Sequence, residues 1–534
     1  MNKDKIFGRE NYLEVLERRV SGFLEGYRRN IAIIGDESIG KSSILFKFLN
    51  GFCDNRIIML YLEIRHESML YFARRFTGVL LYNFMLNSGI PLKEDLDFLI
   101  SKSERHIPAT AAKIRAVLKA AAKRKKHNIL TELLSLCEIF HQETGKYCVV
   151  VFDEFCNLEK LGVRNLYREW SRLLLSQKNT MYIIASSRKF KAHEVLSREL
   201  SLLFGNFEIV TVEPFDIKTS ERYLEERLKA LKVDEGLKSF LVHFTGGCPF
   251  YLEIISSELL KAPLSQPLQL ADILENLLFN SGGILQERFS NYIKRFMEPA
   301  RSNDYISILY LVSSGRNKIR ELAHMLQQQR KYFLRNLNYL LEADALTRNE
   351  DFLKINDRVF GFWLRFVYQQ KMHSLSFDAG SQKEKFKENI ASMIQEFLDA
   401  SRRPLIERMT QLLGLFEDET LQVERKKIRL NHFREVKHLE FNRRNLKRGL
   451  LGRSSESLWI MAIKDDFLSE DDIADFAREC RRYRQNKLQR KIILTLQDID
   501  YNTRLRAMEE KILAWDINDL NQIMDLFSQP RVIK

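Results

Sequence analysis

Short apolar runs alternate with helical periodicity through the first two hundred residues. Residues 31–34, 56–64, 147–152, 180–185 and 207–212 each read as a buried strand. Between them, apolar residues recur every three to four positions, as with Leu13, Leu16, Val20 and Phe23. Alternation of this kind predicts a parallel α/β sheet with a site at the carboxyl ends of its strands. From residue 216 to about 300 the pattern is helical throughout. Residues 305–312, 319–326 and 330–341 then read as three helices. A small hairpin follows, 345–348 and 352–355, around Asn349-Glu350-Asp351. That order predicts a winged helix whose third helix, carrying Arg330, Lys331 and Arg335, is the recognition helix. A Ser, Asp, Gly and Gln linker at 374–382 marks the last boundary. Residues 383–416 read as helix. Strands at 421–430, 433–441, 458–464, 491–496 and 513–516 then alternate with helices at 470–483, up to 512, and at the C-terminus. The expected division is a core at 1–212, a helical lid at 213–300, a winged helix at 301–372 and a C-terminal α/β domain at 383–534.

The first strand runs into Gly35-Asp36-Glu37-Ser38-Ile39-Gly40-Lys41-Ser42-Ser43. This is G-x-x-x-x-G-K-[ST] with a strand before it and a helix after it, the context a phosphate-binding loop requires. Glycines let the backbone wrap closely, so consecutive N–H groups can point at an anion. The opening of a helix adds partial positive charge. Lys41 is expected to reach β- and γ-phosphates, and the Ser42 hydroxyl to hold Mg²⁺.

The strand at 147–152 ends in Asp153-Glu154. Carboxylates at such a tip face the phosphate loop across the sheet. Asp153 is expected to bind Mg²⁺, directly or through water, and Glu154 to orient and deprotonate an attacking water. The strand at 180–185 ends in Ser186-Ser187-Arg188.

Upstream stands Ile6-Phe7-Gly8-Arg9-Glu10, and downstream Phe244-Thr245-Gly246-Gly247-Cys248-Pro249-Phe250. The order of Phe-Gly-Arg-Glu box, phosphate loop, Asp-Glu strand end, arginine at the next strand end and Gly-x-Pro covers roughly residues 6 to 255. It resembles the archaeal-type STAND/AAA+ ATPases, which also occur in bacteria. The resemblance implies ATP and Mg²⁺ as cofactors and nucleotide-dependent ATPase activity. It implies that Phe7, Arg9 and Pro249 lie beside the adenine, and that Ser186 or Ser187 contacts the γ-phosphate or the water. Arg188 matches the arginine that STAND ATPases carry at that place. An arginine finger from a neighbouring subunit would come from Arg164, Arg168 or Arg172, if subunits pack head to tail.

The C-terminal alternation resembles the restriction-endonuclease-like domain found in many of these ATPases. That fold cuts DNA with an upstream acid and a Glu-x-Lys. Here the matching strand reads Ala462-Ile463-Lys464, with Glu440 on the strand before it. The expectation is therefore an inactive nuclease fold. A literal Glu435-Val436-Lys437, with Glu424 upstream, keeps a live Mg²⁺ nuclease as the lesser alternative.

Composition changes this picture in three ways. The 534 residues carry a net charge of +14, which favours acidic partners, nucleic acid first. Much of it clusters at Arg425-Lys426-Lys427, Arg429, Arg434, Lys437, Arg443-Arg444, Lys447-Arg448 and Arg453, expected to touch a DNA phosphate backbone. The six cysteines are scattered with no C-x-x-C pair, which fits a reducing cytoplasm rather than a disulfide or zinc framework. No apolar run approaches a membrane span and the N-terminus lacks a signal-peptide core, so no membrane partner is expected. Two readings stand side by side: an ATP-driven switch or motor acting on DNA, and a nucleotide-gated scaffold that assembles on itself or a protein partner with little hydrolysis.

Overall fold

The computed structural model describes residues 6–123, 129–201, 207–231, 233–261, 267–297, 302–373, 379–441, 445–483 and 487–533. The chain divides into two compact units. One is Met1–Phe215 with Cys248–Phe250, and the other is Asp216–Gly247 with Tyr251–Lys534.

In the first unit the five expected strands form: β1 (Asn30–Gly35), β2 (Ile57–Glu63), β3 (Tyr147–Asp153), β4 (Thr180–Ser186) and β5 (Phe207–Val212). All are parallel, in the order β2-β3-β4-β1-β5. Helices α1 (Glu10–Leu24), α2 (Lys41–Gly51), α3 (Met69–Asn87), α4 (Leu96–Ser103), α5 (Pro108–Ala122), α6 (Ile129–Thr144), α7 (Leu166–Ser176) and α8 (Lys189–Glu194) surround the sheet. Side chains alternate along a strand, so each strand feeds two cores. Ile31, Ile33, Val149, Val151 and Ile183 pack with Leu16, Val20 and Phe23 of α1 and Ile44, Leu45 and Phe48 of α2. Ala32, Ile34, Val150, Phe152, Tyr182 and Ile184 pack with residues of α3 to α7. Burial on both faces is why β1, β3 and β4 read as apolar runs; β5, expected to be buried, lies at the sheet edge and is only partly covered, with Ile209 44% exposed. The register sets Glu63 beside Asp153 and Ile34 beside Ser186, which brings the strand ends to one edge. A basic stretch, Lys119, Lys123, Arg124, Lys125 and Lys126, begins in the last turn of α5, which holds Lys119; residues 124–126 lie outside the described residues.

The second unit opens with α9 (Ile217–Arg227), α10 (Glu235–Thr245), α11 (Pro249–Lys261), α12 (Pro267–Leu278) and α13 (Ile284–Met297). Then come α14 (Ser302–Ser313), α15 (Ile319–Met325), α16 (Arg330–Glu342) and the hairpin β6 (Leu346–Asn349) with β7 (Phe352–Ile355). Helices α17 (Arg358–Trp363), α18 (Gln369–His373), α19 (Ala379–Arg402) and α20 (Leu405–Leu413) follow. The expected linker is shorter than its composition suggested. Residues 374–378 lie outside the described residues, and 379–382 already belong to α19. The break between α19 and α20 falls at Pro404, which cannot continue a helix.

The strand expected at 421–430 is instead a hairpin, β8 (Thr420–Val423) and β9 (Lys426–Arg429). The chain reverses at Glu424, whose φ is 52°. A five-stranded sheet follows: β10 (Glu435–Glu440), β11 (Arg448–Arg453), β12 (Leu458–Lys464), β13 (Leu488–Thr495) and β14 (Leu513–Trp515), in that order. The first three are antiparallel and the last three parallel. Helices α21 (Glu470–Arg481), α22 (Tyr501–Glu509) and α23 (Ile517–Leu526) complete the chain.

The β6–β7 hairpin is built into this C-terminal part. Phe352 is fully buried in one core with Met409, Leu412, Phe416 and Trp459. Asn349 and Gln422 exchange two hydrogen bonds, of 2.6 and 2.9 Å. Asp351 Oδ2 accepts from Thr420 N at 2.7 Å, and Lys427 pairs with Glu350 at 2.9 Å. Nearby, buried Asp525 pairs with Lys354 at 2.7 Å, with Arg531 at 2.7 Å, and with Arg358.

Candidate functional site

The loop after β1 is shaped by local sterics. A Cβ on Gly35 would meet the Val212 carbonyl oxygen at 2.5 Å, so the close approach of β1 to β5 excludes a side chain there. Ser38 and Gly40 have φ of 62° and 100°, and the latter suits glycine. Ile39 is buried in the core, while Asp36 is partly exposed and Glu37 exposed. The turn delivers Lys41 to the start of α2, with Ser42 and Ser43 exposed in its first turn. The Lys41 side chain is buried and folds back along the loop. Its Nζ donates to the carbonyls of Gly35 at 3.0 Å and Asp36 at 2.8 Å. Burial lowers its pKa below the ordinary lysine value, against the pull of Glu154, Asp153, Asp36 and Glu37.

The tip of β3 faces this loop. Ser42 Oγ donates to Asp153 Oδ2 at 2.7 Å, and Tyr61 on β2 donates to the same oxygen at 2.9 Å. Asp153 Oδ1 accepts from Glu154 N at 3.0 Å. Glu154 adopts a left-handed backbone, φ 55°, which turns its side chain away from the strand. Its carboxylate accepts from Ser187 N at 3.1 Å on each oxygen and from Ser187 Oγ at 2.9 Å. Burial raises the Glu154 carboxyl above its ordinary value. The Ser187 amide, the Lys41 charge and the Ser187 hydroxyl oppose that rise.

At the tip of β4, buried Ser186 donates to Cys156 Sγ at 3.3 Å and accepts from Arg188 N at 3.1 Å. The Arg188 side chain is exposed. The next residue, Lys189, reaches Asp36 Oδ1 in the loop at 2.7 Å. The structure thus brings together Gly35, Asp36, Lys41, Ser42, Asp153, Glu154 and Ser187. It adds two residues that the sequence reading did not select, Tyr61 and Lys189.

Arg9 is buried near the other end of the loop. It donates to the Ile39 carbonyl at 3.1 Å, and its guanidinium stacks over Phe215 at 4.7 Å. Phe7 meets the same Phe215 ring edge-on at 6.0 Å. Cys248, beside Pro249, packs against the core that holds α1, α2 and β1. Arg164, Arg168 and Arg172 are all exposed, the last paired with Glu169.

The other candidates lie in the second unit. Arg330, Lys331 and Arg335 are exposed on the first two turns of α16. Arg425 occupies the β8–β9 turn, with Lys426 and Lys427 exposed on β9. Arg443 and Arg444 lie outside the described residues. In the C-terminal sheet, Ala462 of β12 pairs directly with Gly449 of β11. A Cβ at 449 would meet the Met461 carbonyl at 2.3 Å and the Phe441 ring at 2.4 Å. Lys464 is engaged in an ion pair with buried Asp472, whose carboxylate also accepts from the backbone N–H of Ser469, the N-cap of α21. Glu424 pairs with Arg504, and Glu435 with Lys437 at 2.9 Å.

The Ser42 hydroxyl and an Asp153 carboxylate oxygen 2.7 Å apart, at the mouth of a loop built for phosphate, suit a hard cation that keeps several waters and binds through substrate phosphates. The residues fit Mg²⁺.

No family model matches the chain, and no curated protein matches it. Among solved structures it is similar to the Walker-type ATPase paby2304 of Pyrococcus abyssi, at 21% identity over 67% of this chain and 96% of that one, TM-score 0.48. It is similar to the ORC2 protein of Aeropyrum pernix, solved as ADPNP-ADP complexes, at 11% identity over 73% and 96%, TM-score 0.40. It is also similar to the ORC1 protein of Aeropyrum pernix in complex with DNA, at 13% identity over 68% and 93%, TM-score 0.37. Among the described residues no helix is long and apolar enough to cross a membrane. The parallel sheet β2-β3-β4-β1-β5, with its glycine loop after β1 and its paired acids after β3, is a P-loop NTPase core with a helical extension.

Proposed function

We propose that this chain binds ATP with Mg²⁺ and hydrolyses it, as a nucleotide-dependent switch or motor of the STAND/AAA+ kind acting on DNA. The observation that carries the reading is the partly buried carboxylate of Glu154 beside the Ser42–Asp153 bond, at the lip of the loop that holds Lys41. The backbone of residues 35–43 would cradle the phosphates. Lys41 would neutralise the β- and γ-phosphates, and Ser42 and Asp153 would hold the Mg²⁺. Bound there, the ion supplies charge neutralisation at the phosphates. Glu154, with its basicity raised by burial, takes the proton of a water attacking the terminal phosphoryl group; the products are ADP and phosphate. Arg188 contributes positive charge at the same strand edge. Phe7, Arg9 and Pro249 flank the base.

This reading keeps the four-part division as a proposal, with 301–372 as a winged helix and 383–534 as a restriction-endonuclease-like domain. The filled position at Gly449, Ala462 in place of an acid, and Lys464 engaged by Asp472 support a domain that has lost nuclease chemistry. DNA contact would run through Arg330, Lys331 and Arg335, with Arg425, Lys426, Lys427, Arg443 and Arg444 adding backbone charge. Six scattered cysteines with no C-x-x-C spacing support a reducing, cytoplasmic setting.

A second reading, a nucleotide-gated scaffold with slow turnover, is favoured by one feature. Three hydrogen bonds from Ser187 hold the Glu154 carboxylate, and a held base is a slow base. Exposed Arg164, Arg168 and Arg172 suit assembly with a second copy or a protein partner.

The deciding experiment measures ATP hydrolysis with and without duplex DNA, beside Glu154→Gln. DNA-stimulated turnover lost in the variant is the expected result. ATP binding with negligible turnover, unmoved by DNA, would replace the motor with the scaffold.

A further inference from the structure

Asp36 holds two lysines at once. Its carboxylate pairs with Lys189 at 2.7 Å, and its carbonyl accepts from Lys41 Nζ at 2.8 Å. The bonds of one aspartate span only about 4 Å between those oxygens, so both ammonium groups converge on the same turn of the loop. They come from different elements, Lys41 opening α2 and Lys189 opening α8.

The position of Lys189 along its segment says which part of a nucleotide it meets. Ser187, two residues earlier, bonds to Glu154 through both its amide and its hydroxyl. A base that deprotonates water must lie at the phosphoryl group under attack, which is the terminal one. The segment 186–189 therefore straddles the site, with one residue on Glu154 and another on the loop.

The Lys189–Asp36 pair is also exchangeable. The two side chains are 28% and 39% exposed, and pairs of that kind are weak. A polyphosphate offers several charges and many acceptor oxygens, and its contacts with ammonium are charge-assisted. It also repels the Asp36 carboxylate.

Resting on the ATP reading above, we propose that Lys189 is a second phosphate-binding lysine, held by Asp36 and transferred to the terminal phosphoryl oxygens of a nucleoside triphosphate. A diphosphate does not place a group there, so Lys189 stays on Asp36. The exchange makes the loop sensitive to the third phosphate, and Asp36 sets how strongly.

The test is equilibrium binding of fluorescent ATP and ADP analogues to the full chain with Mg²⁺. Wild type is compared with Lys41→Ala, Lys189→Ala, Lys189→Arg and Asp36→Asn, with thermal melting to check folding. Lys189→Ala is expected to weaken the triphosphate about tenfold and the diphosphate less than about twofold. Lys189→Arg restores most of the difference. Asp36→Asn tightens the triphosphate about threefold, and carries the test should Lys189→Ala fail to fold. Wild type that binds ATP, loses it in Lys41→Ala, and keeps its ATP-to-ADP preference in both Lys189→Ala and Asp36→Asn overturns the proposal and leaves the ATP reading standing. Wild type that binds neither nucleotide overturns both.

Discussion

Ser187 donates to both carboxylate oxygens of Glu154 through its amide, at 3.1 Å each, and to one of them through its hydroxyl at 2.9 Å. The two residues directly follow neighbouring strands, so the sheet itself fixes their separation. Burial raises the Glu154 carboxyl and the Ser187 donors oppose the rise. Ser187→Ala removes only the hydroxyl. The carboxyl should then rise further, and the acid limb of the kcat–pH profile should move to higher pH. A limb that stays put or moves to lower pH would show that the hydroxyl does not act on the charge of Glu154.

Activity and stability should part company at Glu154 itself. Removing a general base costs about 10²–10⁴ in turnover. A carboxyl raised on folding means that the native chain holds its proton more tightly than the unfolded chain does. Stability is therefore lost as pH climbs from the ordinary glutamate range through the raised value. Glu154→Gln has no such charge, so at pH 7 it should melt higher, by about 2 °C, while turning over least. The gap in melting temperature should close below the ordinary glutamate range.

Tyr61 donates to Asp153 Oδ2, the oxygen that also accepts from Ser42. Groups that orient a metal ligand from behind typically affect metal affinity by about 10–100-fold. Tyr61→Phe should raise the Mg²⁺ concentration for half-maximal hydrolysis about tenfold, with little change at saturating Mg²⁺. An unchanged Mg²⁺ titration would reduce the phenol to packing against Phe46.

In the C-terminal sheet, burial would raise the Asp472 carboxyl, but Lys464 and Ser469 hold it below the ordinary range. Its contribution is therefore present above the ordinary aspartate value and lost as pH falls through the depressed one. Lys464→Ala leaves that carboxylate buried without its cation and should cost about 3–5 kcal/mol by chemical denaturation. A nuclease lysine would instead be dispensable for folding. A stable, unchanged Lys464→Ala would reopen the catalytic reading of this position.

Asp525 faces Arg358, Arg531 and Lys354. Burial acts to raise its carboxyl, and the three cations hold it well below the ordinary range. Asp525→Asn leaves three cations with no anion between them and should cost about 3 kcal/mol or more by denaturant titration. A loss under about 1 kcal/mol would show that the cations find water instead.

For DNA, the triple change Arg330→Ala, Lys331→Ala and Arg335→Ala should lower the slope of log affinity against log salt by about 3, roughly one per lost phosphate contact. An unchanged slope would move the contact away from α16.

The core sheet was readable because parallel strands buried on both faces leave continuous apolar runs, as in residues 147–152. Strand β11 was not, because Arg448-Gly449-Leu450-Leu451-Gly452-Arg453 shows two glycines and two arginines around one short apolar pair. Its glycines answer to neighbours far along the chain: Met461 and Phe441 at Gly449, and the Phe433 ring at Gly452. The β8–β9 reversal leaves no mark in the sequence because it uses Glu424 at positive φ, with no glycine there. At the site, Lys41, Ser42, Asp153 and Glu154 announce themselves by spacing. Tyr61 and Lys189 do not, since each acquires meaning only from strand adjacency, β2 beside β3 and β4 beside β1.

The β6–β7 hairpin shares its hydrophobic interior with elements more than fifty residues downstream, through Phe352, and its turn is stitched to Thr420, Gln422 and Lys427. Cutting the gene near residue 373 would therefore not yield two tidy fragments. Each would carry a raw half of one interior, Phe352 on one side and Met409, Leu412 and Trp459 on the other. The C-terminal sheet is the second half of a mould in which the hairpin sets.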